Sequence, residues 1–442
     1  MSHNKYIPQR PARIGVGMLG LGVVGSGVAE AMLGNCAGLS AGVGRDIDLR
    51  AVLVRDLAKR RRFEVPCGML ATDPGDVVGN PDVDIVVEVM GGERPALDYI
   101  LKSISLGKHV VTANKEVMAR HGREILAQAA RKGVRVMFEA SVAGGTPIIA
   151  PLARDLVANK VLSIHGIING TTNYILDRMA HEGVDFDEAL REAQELGYAE
   201  AEPSGDVDGT DAAYKLAILS SLAFRTTVKD TDVYREGIRA LQARDFSYAG
   251  ELGYAIKLLA TARRLNGGLE VRVHPALVPH GALISRVDGV MNAVEIETDL
   301  AGRVLFHGRG AGSLPTASAV VADIVQIARD IVAGVRQPAS EAIDENIYVL
   351  PMSELETSYY LRMEVADRPG VLASIATVLG NWSISIDSVV QKQVDVQDGS
   401  AELVLTTHRA SESSMQQAMW QLLELDTVRE IGNMLRLEEW GE

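Results

Sequence analysis

Cysteine is nearly missing from this chain of 442 residues, which holds only Cys36 and Cys67. Two thiols cannot build a disulfide framework, and these two do not have the spacing of a metal site. A reduced, cytoplasmic setting fits best. Positive charge is also scarce: 44 lysines and arginines face 58 acids, a net charge of −14. That balance argues against nucleic acid as a general partner, because phosphate binding needs a basic surface. The one basic cluster, Lys59 to Arg62, is short. No uninterrupted apolar run approaches the ~18 residues that suggest a membrane span, so no membrane partner is expected. Met1 to Arg13 is polar, lacks the apolar core of a secretion signal and reads as a loose leader.

What is present is an ordinary hydrophobic fraction of 47%. At ~100–200 residues per domain, the length allows two or three domains. The apolar run Ile14 to Leu19 leads into Gly20-Leu21-Gly22-Val23-Val24-Gly25 and then a helical pattern. A lone G-x-G-x-x-G is weak, but here it has the strand before it and the helix after it. Gly20 permits the tight turn, Gly22 lets backbone approach a pyrophosphate, and Gly25 lets the helix pack against the strand, with the helix N-terminus favouring the anion. Strands are expected at Asp48 to Val54, Val83 to Val89 and His109 to Thr112, with helices at Pro95 to Leu106 and Glu116 to Lys132. That alternation predicts a doubly wound parallel sheet.

At the tip of the second strand stand both Arg55 and Asp56. An acid there selects the ribose hydroxyl of NAD, whereas an arginine accommodates the 2′-phosphate of NADP. With Arg55 first and Lys59 in the basic run behind it, NADP(H) is the expected cofactor and NAD(H) the alternative. Lys115 follows the fourth strand, where residues line the ligand crevice of such folds; a surface lysine at a helix start is the plainer alternative. The turn Glu139 to Thr146 offers main-chain carbonyls and a carboxylate, the hard oxygen ligands of a small cation. Gly308 to Thr316 is a second glycine loop before a helix starting at Ala317, able to approach a ligand backbone-first through Gly310 and Gly312. Asn169 begins a glycosylation sequon but reads better as a helix cap.

Between Gly197 and Lys215 five carboxylates precede one ammonium, Lys215, which stands in an apolar helix. Acids beside glycine and proline first suggest a solvated loop. The helix that follows is apolar on nearly every face, as a buried helix is. Asp211 and Lys215 lie at i and i+4, a pair worth ~0.2–0.5 kcal/mol on a surface. On a buried stripe the lysine must be met by partners, and its pKa can move toward the range of proton transfer. A site that binds an ammonium and moves a proton is expected.

The middle block, Pro147 to Gly308, reads as short strands alternating with amphipathic helices. A linker rich in Pro, Ser and Glu spans residues 337–356. Beyond it come a strand from Tyr360, the turn Asp367-Arg-Pro369-Gly370, a helix from Val371, two strands, a helix from Glu412 and a last strand from Val428. The βαββαβ order predicts a ferredoxin-like sandwich, whose lack of catalytic clusters suggests a binding role.

Together these blocks resemble homoserine dehydrogenase of the long form, which carries a C-terminal ACT domain, over essentially the whole chain. The resemblance implies an NAD(P)-binding domain at residues 1–146 with helix 317–335 returning to it. An α+β catalytic and dimerisation domain would follow at 147–316, and the ACT regulatory domain at 357–442. It implies that Gly197, Tyr198, Glu200, Asp206 and Asp211 handle an amino-acid substrate, and that Lys215 and Lys115 carry the catalysis with Asp211. The cofactor pocket would also take Leu21, Val23, Val24, Gly91, Gly197 and Glu200. Glu139, Val142, Gly144 and Thr146 look like a site for Na⁺ or K⁺. Asp367, Pro369, Gly370 and Val371 look like the turn for a threonine-like effector. The implied reaction is reduction of aspartate 4-semialdehyde to homoserine, in a homodimer or homotetramer. Neither Cys36 nor Cys67 is placed as a nucleophile, which separates this reading from aspartate-semialdehyde dehydrogenase. A non-catalytic amino-acid sensor is the alternative from another class, and the intact lysines and glycine fingerprint argue against it.

Overall fold

The computed structural model describes residues 13–335, 347–395 and 399–440. The expected leader up to residue 12 and the expected linker from 337 to 346 lie outside the described residues. The chain divides into two units. One comprises Met1–Ala158, Ala217–Asp230 and Gly308–Asp344; the other comprises Asn159–Leu216, Thr231–His307 and Glu345–Glu442.

The first unit is built on six parallel strands: β1 (Ile14–Leu19), β2 (Ile47–Leu53), β3 (Leu70–Ala71), β4 (Ile85–Glu88), β5 (His109–Thr112) and β6 (Val136–Met137). Their order is β3-β2-β1-β4-β5-β6. Every residue of β1 and β4 is buried. Strands covered on both faces show no apolar–polar alternation, as in the run Ile14 to Leu19; in β4 only Glu88, at its end, is charged. The order reverses between β1 and β4, which opens the crevice where such sheets take a dinucleotide. β3 and β6 were not foreseen, because two-residue strands carry no readable period. The helix Ser313–Ala333 puts Ala317, Val320, Ile324 and Ile327 into the same core as Val28 and Met32 of the helix Val23–Gly34. Close approach is possible because Gly27 lacks a Cβ, which would lie 2.6 Å from the Ser313 carbonyl oxygen.

The second unit holds β7 (Val161–Ile167), β8 (Tyr234–Arg235), β9 (Tyr254–Leu265), β10 (Gly268–Pro279), β11 (Met291–Thr298) and β12 (Gly302–Arg309). It continues with β13 (Glu356–Ala366), β14 (Ile386–Asp395), β15 (Ser400–Thr407), β16 (Ala410–Ser411) and β17 (Val428–Leu437). The expectation of short strands alternating with helices is corrected here. β9 and β10 are 12 residues each and pair antiparallel from Gly268↔Leu265 to Pro279↔Tyr254. All but the last residue of β10 are buried, so the period-two signal of a half-exposed strand is erased.

The βαββαβ module runs through β13, the helix Val371–Asn381, β14, β15, the helix Glu412–Leu423 and β17. Its first strand starts at Glu356, ahead of the expected Tyr360. The described part of the expected linker is ordered into the fold: Val349 bridges Leu269, and a helical turn covers Met352–Glu354. β17 pairs antiparallel with β13 and also parallel with β10, through Ala276↔Arg436 and Leu277↔Leu437. The sheet path is therefore continuous, β12-β11-β7-β9-β10-β17-β13-β15-β14, with β8 on β10 and β16 on β13.

Candidate active site

In the first unit the glycine fingerprint has the geometry a dinucleotide needs. Gly20 sits at φ +104, and a Cβ on Gly25 would come within 2.3 Å of the Gly20 carbonyl oxygen, so the turn closes only with glycine at both. No side chain caps the helix that begins at Val23, and nothing lies within 4 Å of a Cβ built on Gly22. The first amides of that helix thus face open space in which a pyrophosphate fits. Leu21 is buried, Val24 is half-buried and Val23 is exposed. Ser313 donates to the Val23 carbonyl at 2.7 Å, which brings the second glycine loop onto the fingerprint helix. In that loop Gly312 has φ +124 and Gly310 is buried.

Beyond β2, Arg55 and Lys59 are exposed in a loop. Asp56 accepts from the Ala58 amide at 2.8 Å, so its carboxylate is turned back onto its own turn. Gly91 follows β4 at φ +76 with open space around it. Lys115 is half-buried and is the first residue of the helix Lys115–Lys132. The turn that delivers it is fixed by Thr112 and Asn114 of its own motif and by Glu88, which the sequence did not single out. Glu88, at the end of β4, is buried and accepts from Thr112 Oγ1 at 2.7 Å and the Met90 amide at 2.8 Å. Burial pushes its carboxyl up, against the opposing pull of those bonds. Asn114 caps the helix by accepting from Val117 and donates to the Gly92 carbonyl at 2.8 Å.

The Glu139 to Thr146 turn differs from expectation in one respect. The Glu139 carboxylate accepts the amides of Ile148, Ile149 and Ala150 at 2.6, 2.9 and 2.7 Å. The side chain is thus engaged in holding the chain. Thr146 Oγ1 is buried with no hydrogen-bond partner, an orphan that a cation would satisfy. Val142 and Gly144 are buried, and a Cβ on Gly144 would lie 2.2 Å from the Gly310 carbonyl oxygen. The turn and the second glycine loop are therefore packed together. Asp323 accepts the Glu139 amide at 2.9 Å, and burial pushes its carboxyl up to about 7.

In the second unit the structure draws together the acids and the lysine. Lys215 Nζ donates to Asp211 Oδ2 at 2.6 Å and to the Ile168 carbonyl at 2.7 Å, on a helix whose Ala212, Leu216 and Leu219 are buried. Asn169 joins the set: its Nδ2 donates to Asp206 Oδ1 at 2.7 Å and Asp211 Oδ2 at 2.9 Å. Its Oδ1 meanwhile caps the helix Gly170–Glu182 by accepting from the Thr172 amide. The cap was legible in the sequence; the bridge between two carboxylates was not. Gly197 turns at φ +75. Tyr198 is exposed, its ring centroid 5.0 Å from that of Tyr174, and its carbonyl accepts from Thr171 at 2.7 Å. Glu200 is exposed and not drawn into the Asp206–Asp211–Lys215 cluster by any described bond; its carbonyl accepts from Gln194.

The turn Asp367 to Val371 of the βαββαβ module, the expected effector turn, leaves Asp367, Pro369 and Gly370 exposed, with Val371 buried below. Gly370, at φ +93, precedes the helix Val371–Asn381, which no side chain caps.

A doubly wound sheet with an open glycine turn, together with a lysine held among carboxylates, defines a nicotinamide-dependent oxidoreductase with a regulatory-type module at its end. Family models agree in all three blocks. They are the homoserine dehydrogenase NAD binding domain over residues 20–139, homoserine dehydrogenase over 147–325 and the ACT domain over 359–426. The homoserine dehydrogenase of Synechocystis sp. is 46% identical over 431 residues, covering 96% of this chain and 99% of that one. That of Neisseria gonorrhoeae is 44% identical over 434 residues, covering 96% and 98%. The crystal structure of a homoserine dehydrogenase from Thiobacillus denitrificans superposes with a TM-score of 0.91 at 46% identity, covering 97% of this chain and 99% of that one. The chain belongs to the homoserine dehydrogenase family.

Proposed function

We propose that the enzyme interconverts L-aspartate 4-semialdehyde and L-homoserine with NADP(H), NAD(H) being the weaker cofactor. The observation that carries this reading is the Lys215–Asp211–Asn169–Asp206 cluster. Asp206 and Asp211, with Glu200, supply negative charge for the substrate ammonium. Gly197 and Tyr198 shape the loop beside them. When bound, the nicotinamide supplies the hydride, and Gly20, Gly22, Gly25 and Gly91 with the Gly310 to Gly312 loop are the residues that would hold the cofactor. Lys215 holds a proton at Nζ, stabilises the negative charge developing on the aldehyde oxygen and protonates it to the alcohol. Lys115 positions the substrate and supports that charge. Arg55 and Lys59 favour the 2′-phosphate, an assignment supported by Asp56 being engaged in its own turn.

A monovalent cation, Na⁺ or K⁺, is assigned to the carbonyls of Glu139, Val142, Gly144 and Thr146, supported by the orphaned Thr146 hydroxyl. Threonine or a close analogue is assigned to the turn Asp367 to Val371 as a feedback inhibitor. The enzyme then serves the threonine, methionine and isoleucine branch of amino-acid biosynthesis in the cytoplasm, as a homodimer or homotetramer joined through the middle block.

The test is nicotinamide absorbance with homoserine and NADP⁺ or NAD⁺, with Na⁺, K⁺ and threonine varied in turn. Expected are turnover with homoserine, a lower KM for NADP⁺ than for NAD⁺, activation by the cation and slowing by threonine. No absorbance change with either cofactor rejects the reaction.

A further inference from the structure

The two substrate carboxylates do not stand on their turn unaided. Between Asp206 and Asp211 the chain turns at Gly209, φ +80, with Val207 fully buried. Against this turn lies the segment Glu236 to Arg239. Ile238 donates its amide to the Val207 carbonyl at 2.9 Å, and Arg239 Nε donates to Asp208 Oδ1 at 2.7 Å. A Cβ on Gly237 would meet the Val207 carbonyl oxygen at 2.5 Å and Asp208 Cα at 2.9 Å, so the two backbones touch. The segment begins at Glu236, whose amide is tied to the Val273 carbonyl of β10 at 2.8 Å.

The Glu236 side chain is gripped from β17, the last strand of the ACT module. Arg436, fully buried, donates Nη1 and Nη2 to the two oxygens of Glu236 at 2.9 and 3.0 Å. The same guanidinium donates to both oxygens of Glu412, at 2.9 Å from Nε and 2.5 Å from Nη2, and Tyr359 donates to Glu412 at 2.9 Å. Burial pushes Glu236 and Glu412 up, but the Arg436 charge and its hydrogen bonds outweigh burial and hold both carboxyls below their ordinary value. A forked bond from a fully buried guanidinium to the part-exposed Glu236 carboxylate fixes direction as well as distance.

We infer that Glu236 and Arg436 are positioning residues for the dehydrogenase reaction: through Gly237, Ile238 and Arg239 they set the turn that carries Asp206 and Asp211. The ACT strand β17 is then part of the scaffold of the substrate site with no effector bound. This rests on the proposed role of those carboxylates in holding the substrate ammonium. The glycines proposed to hold the cofactor, Gly20, Gly22, Gly25 and Gly91, are not part of this turn, so its displacement acts on the amino-acid substrate more than on the cofactor.

The experiment uses the full-length enzyme with Gly237→Ala, which presses on the Val207–Asp208 backbone without touching the charge network, and Glu236→Gln, which weakens the grip from Arg436. Steady-state constants for homoserine and NADP⁺ are measured beside thermal unfolding. The expected result in both variants is a KM for homoserine raised about tenfold, since sub-ångström misplacement is costly at a reacting site. kcat should fall less, and the KM for NADP⁺ should stay within about twofold. Unchanged KM for homoserine in Gly237→Ala and Glu236→Gln overturns the inference. So does a parallel loss of homoserine and NADP⁺ affinity together with broadened unfolding, which marks a general structural defect. If the wild-type enzyme itself does not oxidise homoserine, the proposed reaction falls first, and this inference with it.

Discussion

Two charged clusters in the same unit show how differently a sequence can encode buried ions. At the proposed substrate site, Asp206, Asp211 and Lys215 lie within ten positions, and Asn169 joins from a neighbouring strand end. Along the seam where β10 meets β17, the pairs join residues far apart in the chain. Arg436 reaches back to Glu236, Arg272 to Glu438 at 2.6 Å, and Arg362 to Asp245 at 2.6 Å. The seam is closed: Arg436 and Arg272 are fully buried and each is matched by carboxylates. The substrate cluster is left half-open at Asp206 and Lys215. A matched, buried network resists change because removing one member leaves its partner's charge uncompensated. A half-open cluster keeps capacity for a ligand. Activity should therefore depend on the first and folding on the second, with Gly237 as the joint between them.

Lys215→Ala breaks the comparison on the activity side and carries the largest expected effect. Turnover of homoserine should fall about 10³-fold, the range for loss of a general acid. The KM for NADP⁺ should hardly move, and the unfolding midpoint should fall only modestly, because the buried Asp211 loses its cation but keeps the Asn169 amide as a donor. Retained turnover removes Lys215 from the chemistry.

Arg436→Met probes the other side. It strands Glu236 and Glu412, and the expected loss is about 3–5 kcal/mol of unfolding free energy, read from urea titration. The seam would be shown to be incidental by a variant as stable as wild type.

Legibility followed the same division. The dinucleotide fold could be read because its evidence is local: an apolar strand, three glycines and a helix in one run. The Asp206–Asp211–Lys215 cluster could be read because its acids crowd one loop beside one lysine in an apolar helix. Asn169 was visible as a cap from its own surroundings, yet its second role depends on where residues 206 and 211 arrive in space. The seam had no local signature. Arg436, Arg272 and Arg362 each sit in strands that look like any partly polar strand, and only long-range packing, β10 on β17 and the helix Ala243–Glu251 against Arg362 of β13, brings them their carboxylates. Burial on both faces also hid β9 and β10 as long strands. The Glu139 carboxylate looked like a cation ligand because a sequence does not reveal that three amides would arrive to meet it.

Acid offers a gentler way to separate the two clusters, because residues 197–215 contain no histidine whereas the seam region contains two that are buried. His274 Nε2 accepts from Arg272 Nε at 2.7 Å, and its Nδ1 lies 2.9 Å from the Pro275 carbonyl. That arrangement requires the neutral ring, with its proton on Nδ1. His165 stacks at 4.6 Å on Trp440. Burial pushes both imidazoles down from 6.5 to about 4. Between those values the unfolded chain binds protons that the folded chain refuses, so stability rises with pH across the window. The contribution is complete above 6.5 and is lost as pH falls toward 4, at about 3 kcal/mol for each ring. Glu438 adds its loss later: burial pushes it up, but Arg272 and the neighbouring cations dominate and hold it down at about 2. Each buried histidine lowers the urea midpoint as pH falls from 6.5 toward 4.5, while Asp323, held up at about 7, opposes that trend; His274→Gln, whose amide oxygen can still accept from Arg272, should make the slope less steep than in wild type. An unchanged slope in His274→Gln would place the acid sensitivity outside the seam and would weaken the claim that the seam holds the ACT strand in place.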